Sequence, residues 1–212
     1  MKRMISFLIA CVMIVCCVGT ALGETAGRDL WKSDSLLTLG TVNGYTYENE
    51  ILGYGCTLEG WNFADEARIA ELNNWGQEML SDDLQKILEN ADTVMDMYAA
   101  TDDELSNINI QFQNMDHIFG ALITEELFVT LSLPQLAPMM EMAGYQNVVT
   151  EAITVQLDGV EHAGIALTAT VYGLPIYQKE VCIKCGNYMA LIAVTSLLVD
   201  TTDEILANFY AL

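Results

Sequence analysis

From residue 148 onward apolar and polar positions alternate in long runs. Val148 to Leu157, His162 to Tyr172, Pro175 to Cys185 and Tyr188 to Leu198 are four strand-length stretches joined by short turns that carry glycine. That pattern predicts a four-stranded meander. The run from Tyr188 to Leu198 is apolar at successive positions, which places it centrally in a sheet covered on both sides. Earlier in the chain, Thr41 to Tyr47 and Ile51 to Leu58 predict a hairpin. Glu48-Asn49-Glu50 would be its turn, with Leu52, Tyr54, Cys56 and Leu58 on one face. Thr93 to Tyr98 and Asn107 to Phe112 predict two further strands around the acidic turn Thr101-Asp102-Asp103-Glu104. That turn lacks the alternating oxygen ligands and the glycine of a calcium loop, so it reads as a solvated turn.

Between these strands the period becomes helical. Asp65 to Asn73 predicts a short helix with acids in its first turn. Ser81 caps another, in which Leu84, Ile87 and Leu88 share a face. Thr124 opens a third, with Glu125 and Glu126 at its positive end. Pro134 predicts a break there, with Ser132 recapping the chain and Gln135 three residues on. Leu136, Met139, Met140 and Met142 then crowd a short helix ahead of Gly144. Thr201-Thr202-Asp203-Glu204 reads as a capping box for a terminal helix that turns Leu206, Phe209 and Tyr210 inward. Strands on hairpins with helices grouped between them predict an α+β class, a mostly antiparallel sheet with helices packed on its faces.

The N-terminus has a separate pattern. Met1-Lys2-Arg3 is followed by an apolar stretch from Met4 to Val18, broken only by Ser6, and by Ala21-Leu22-Gly23 as a small-x-small site. This is the layout of a secretory signal peptide. The expected organisation is residues 1–23 as signal, 24–39 as a lead-in segment and 40–212 as one domain. The chain beyond residue 23 is long enough to bury a core without staples. The alternative is an uncleaved N-terminal membrane anchor, because the apolar run is also long enough to span a bilayer.

Charge then narrows the partners. The chain has 29 acidic and 8 basic residues, for a net charge of −21. Such a surface repels phosphate backbones and anionic lipids, so neither nucleic acid nor a membrane surface is expected as a partner once the signal is removed. An unknown protein or cell-surface ligand is the partner that remains. An acidic surface also keeps a secreted protein soluble.

The order of elements resembles the PsbP-like fold, shared by the extrinsic photosystem subunit and the Ran-binding Mog-type proteins. The residues that carry the resemblance are Tyr47-Glu48-Asn49, Leu52-Gly53-Tyr54 and Leu58-Glu59-Gly60-Trp61. Gly186-Asn187-Tyr188-Met189-Ala190 is also similar to segments of small secreted proteins of Gram-positive bacteria. The resemblance implies a PsbP-like α/β/α sandwich and a non-enzymatic accessory or binding role. It transfers no functional residue.

Three cysteines lie outside the signal: Cys56, Cys182 and Cys185. Cys182-Ile183-Lys184-Cys185 has the spacing of a redox or zinc motif. A redox pair needs a helix N-terminus to lower a thiol pKa, whereas these flanks read as strand. In a strand, positions three apart point to opposite faces. A zinc site would need Cys56 and His162 as further ligands. The plainer expectation is that Cys185 lies with Val181 and Ile183 on one buried face while Cys182 shares the other with Glu180 and Lys184. A Cys56–Cys185 disulfide is a further possibility. His117, beside Asp116, and His162, after Glu161, have no partnering nucleophile motif. No catalytic residue, cofactor or metal is assigned. The sequence thus predicts a secreted, non-catalytic binding or accessory protein. Its candidate contacts are the hairpin aromatics Tyr45, Tyr47 and Tyr54 and the methionine-bearing segment 136–143. The alternative is a thiol-redox or metal-binding protein that uses the Cys182/Cys185 pair with Cys56.

Overall fold

The computed structural model describes residues 37–65, 67–69, 72, 93–115 and 122–212. The meander forms as its alternation predicts. Strands β7 (Gln146–Leu157), β8 (Val160–Val171), β9 (Leu174–Cys185) and β10 (Tyr188–Leu197) pair in succession. With β4 (Asn62–Phe63), β5 (Thr93–Ala100) and β6 (Ser106–Asn114) they make a seven-stranded antiparallel sheet in the order β4-β5-β6-β10-β9-β8-β7. β10 lies between β6 and β9 and is buried along its whole length, as its apolar residues on both faces require.

A second, four-stranded sheet is built from β1 (Thr41–Asn43), β2 (Thr46–Asn49), β3 (Tyr54–Thr57) and β11 (Phe209–Ala211) in that order. It closes one face of the large sheet. Tyr47, Tyr54, Cys56 and Leu58 pack there with Ile108, Ile110, Phe112, Val181, Ile183 and Ile192. The opposite face packs against α1 (Glu125–Met142), with Phe128, Val129, Leu136 and Met140 meeting Ile165, Leu167 and Leu191. A five-residue helix, α2 (Thr202–Leu206), precedes β11.

These layers correct the expected class. Among the described residues the fold is mostly antiparallel β, two sheets with few helices, and not an α+β sandwich of PsbP-like type with helices on the sheet faces. One large-sheet face is covered by strands, so the core there is made by alternating side chains from two sheets. The helix read from Ser81, the signal segment and the lead-in up to Leu36 lie outside the described residues; Leu37 to Leu39 carry no regular structure. Of the helix read at Asp65 to Asn73, residues 67–69 and 72 are helical, and Asp65 Oδ1 accepts the Arg68 amide at 2.8 Å.

Three local expectations are also corrected. The first hairpin turns earlier, at Gly44 (φ +63°), and a second turn runs from Glu50 to Gly53 (φ +78°). The side chain of Asn49 holds that second turn by accepting the Ile51 and Leu52 amides at 2.8 and 3.0 Å. The helix around Pro134 is continuous. Pro134 and Pro138 lie on its exposed side, so the carbonyls they leave unpaired face water, and Ser132 Oγ donates to the Phe128 carbonyl instead of recapping the chain.

The terminal helix stops after Leu206. Asn208 Nδ2 donates to the Glu204 and Ile205 carbonyls, and Phe209 to Ala211 then pair with Cys56 to Tyr54. Gly55 admits this pairing: a Cβ there would meet the Tyr210 ring at 2.8 Å.

Candidate functional site

The residues singled out from sequence are mostly not at the surface. Tyr45 is about half exposed beside the first turn. Tyr47 is fully buried between the sheets and donates its hydroxyl to Asp96. Tyr54 is also buried and faces His162. The three aromatics therefore do not form one exposed patch, because the alternation of β2 and β3 turns Tyr47 and Tyr54 into the intersheet core. In the methionine segment, Met140 fills the second core, Met139 is buried and Met142 is exposed. His117 lies outside the described residues.

Cys56, Cys182 and Cys185 are free, buried thiols. Cys185 sits on the face that meets the small sheet, and Cys182 on the face that meets α1. The strand geometry thus keeps the pair apart. Burial pushes the Cys56 thiol up to about 12 and the Cys185 thiol up to about 11, and holds Cys182 well above the ordinary value. Each shift opposes thiolate formation, the reverse of what a redox or metal-binding cysteine needs. Among the described residues no group of three or more His, Cys, Asp or Glu is placed to hold a metal ion.

The structure does assemble a polar chain that sequence reading missed. His162 Nε2 lies 2.9 Å from the Tyr54 hydroxyl, and its Nδ1 lies 3.1 Å from the Glu125 carboxylate. Glu125 also accepts the backbone amides of Ala163 at 3.3 Å and Lys184 at 3.0 Å. Those amides lie where β8 and β9 separate beyond the Gly164–Val181 pair. A carboxylate at the first position of α1 thus replaces the missing ladder partner. Burial first, then the charges of Asp158 and Glu125, raise the Tyr54 pKa. The phenol is therefore held protonated, and the arrangement orients and pins strands rather than activating a nucleophile. Nothing in the sequence marks this trio, whose members come from β3, α1 and β8.

Surface geometry offers a different site. β7 is an edge strand that pairs with β8 alone among the described residues, and most of its length is exposed. Its bulge is confined to Gln146–Val149, where Asn147 adopts φ +54°. From Val149 to Leu157 it runs regular, with Glu151, Ile153 and Val155 on the face toward the small sheet. Beside them opens a groove of about 430 Å³, floored by Ile153, Val155, Ala166 and Leu206 and edged by Glu151 and Asp203. Thr154 and Gln156 bring the strand's own rim into that groove. Asp203 is ion-paired with Lys179.

A wider hollow of about 500 Å³ lies at the acidic turn. Its carboxylates are engaged in the turn: Asp103 accepts Thr101 Oγ1 at 2.7 Å and the Leu105 amide at 3.1 Å, and Asp102 accepts Asn62 Nδ2 at 2.7 Å. The β7 edge, whose outer backbone has no such partner among the described residues, is the better candidate.

No protein family matches the chain, and no curated protein matches it. Solved structures show weak likeness. One, from Bacteroides thetaiotaomicron VPI-5482, has a TM-score of 0.42 at 10% identity, over 81% of this chain and 49% of that one. The chain therefore spans about half the length of that protein. Another, LpqN, involved in cell envelope biogenesis of Mycobacterium tuberculosis, has a TM-score of 0.37 at 10% identity, over 87% of this chain and 91% of that one. Neither likeness carries fold or function across. No helix among the described residues is long and apolar enough to cross a membrane.

Proposed function

We propose that this chain is an exported, non-catalytic binding or accessory protein and that it works through the free edge of β7. The observation that carries the reading is the combination of a long strand edge, unpaired among the described residues, with a groove running beside it. An exposed edge presents a row of unpaired amides and carbonyls, which a second chain can complete. The groups capable of chemistry support the same reading from the other side. His162 and Glu125 pin strands together, and the thiols are buried with raised pKa values. Export rests on the charged, apolar and small-residue order of residues 1–23.

The test is hydrogen exchange on the native protein, alone and mixed with surface proteins extracted from the producing cells. The reading expects protection concentrated in 146–157. Protection confined to other strands, or none anywhere, overturns it. Sequencing the N-terminus of protein taken from the medium checks export, and a chain beginning at Glu24 is expected.

A further inference from the structure

We infer that the occupant of the β7 edge is an extended segment of a partner protein, added as an eighth strand and carrying a lysine or arginine opposite Glu151. This rests on the reading of β7 as a binding edge. It adds what the occupant must be.

The backbone sets the first requirement. Proteins normally blunt a free edge with lysine, proline, a bulge or a covering element. Between Val149 and Leu157 the strand has no lysine and no proline, and its bulge ends at Val149. The one charged side chain there is Glu151. A regular strand can therefore dock along it, with affinity coming from main-chain hydrogen bonds and selectivity from alternate side chains.

The two faces of β7 set the second requirement. Toward the groove an added strand meets Val155, Ile153 and Glu151 at successive same-face positions. Two apolar residues and one cation, each two apart, match that row. The other face presents Thr150, Ala152 and Thr154, which are small and impose little choice. Asp203 and Lys179 both line the groove and neutralise each other as an ion pair, which leaves Glu151 as the net charge of the lining. Charge also argues against a second copy of this chain as occupant, since each copy carries a net −21 and would bring a Glu151 of its own.

The experiment uses synthetic peptides and the full chain. One peptide alternates threonine and valine and ends in lysine; its twin ends in glutamate. Anisotropy of a labelled peptide reads affinity, and hydrogen exchange reads the site. The lysine peptide is expected to bind and protect 146–157, and the glutamate peptide to bind about fivefold more weakly, the scale of an exposed ion pair. Glu151→Lys is expected to reverse that order.

Two further versions of the lysine peptide carry N-methyl groups on one or the other alternate set of amides, leaving side chains intact. Strand addition predicts that one set weakens binding about a hundredfold, as several hydrogen bonds are lost, while the other leaves it unchanged. Equal loss in both sets, or no preference for lysine, overturns the inference. If surface extract protects 146–157 while neither peptide does, the basic-strand inference falls and the edge reading stands. If neither extract nor peptide protects that segment, both fall. Protection of β7 in the purified chain that disappears on removal of residues 1–36 identifies the chain's own N-terminal segment as occupant and also overturns the inference.

Discussion

Tyr47 donates its hydroxyl to Asp96, a contact that ties the small sheet to the large one. Asp96 occupies a bulge in β5, between Met95 and Met97, that turns its carboxylate toward β2. There it also accepts Asn49 Nδ2 at 2.7 Å and the Gly40 amide at 2.8 Å. Burial first, and then the charge of Asp96, raise the Tyr47 pKa far above its ordinary value.

Hydrogen bonds to a charged group are each worth about 1.5–3 kcal/mol, so Tyr47→Phe should cost an amount in that range. Asp96→Asn should cost at least as much, because its amide presents hydrogens to donors. Urea unfolding of both single variants and the double variant checks the coupling. Additive losses would show that the contact contributes nothing of its own.

The buried thiols predict an alkaline weakness. Folded-state values of about 12 for Cys56 and about 11 for Cys185 stand above the ordinary 9. Their contribution to stability is complete below pH 9 and is lost as pH rises through the folded values. Each thiol should remove about 1.4 kcal/mol per pH unit over that window. Unfolding midpoints at pH 8 and pH 10.5 measure it, and a flat profile would show that these thiols are not buried. All three cysteines should also resist alkylation in buffer and react in urea.

Glu125 holds two backbone amides and one imidazole nitrogen, so its removal should destabilise the chain. Glu125→Ala removes the acceptor of the Ala163 and Lys184 amides, at a cost of about 2–3 kcal/mol. Tyr54→Phe removes one neutral bond and should cost about 1 kcal/mol. Thermal unfolding ranks them. A larger loss for Tyr54→Phe would reverse the assigned roles.

β6 carries a row of buried amides, Asn107, Asn109, Gln111 and Gln113, alternating with Ile108, Ile110 and Phe112. Both polar atoms of Asn107 lack a partner among the described residues, whereas Asn109 Oδ1 accepts Gln111 Nε2 at 2.9 Å. Asn107→Leu should therefore stabilise the protein, by about 1–3 kcal/mol, and Asn109→Leu should destabilise it. Loss of stability in both would mean that Asn107 has a bonding partner in solution.

Legibility from sequence followed the range of the forces involved. The four-strand meander was readable to within two residues because a two-residue period records which face each side chain takes, and β10 announced its central place by being apolar on both faces from Tyr188 to Val194. The opposite-face placement of Cys182 and Cys185 followed from the same period. Helix α1 was readable at its start, where Thr124 Oγ1 accepts the Leu127 amide, but not at Pro134, whose effect depends on which side meets water.

What the sequence determined by itself, then, was local: strand periods, the cap at Thr124, the acidity of the surface and the face each cysteine takes. Only the tertiary structure decided what covers what. Phe209 to Ala211 became a strand because β3 had an edge to fill, and no local pattern records that vacancy. The same holds for the Tyr54–His162–Glu125 chain, whose members lie 108 and 37 residues apart in sequence and meet only once the sheets have packed. The free edge of β7 is of this kind as well. Its sequence reads like that of its neighbour β8, and being last in the sheet is a property of topology that one strand's residues do not carry.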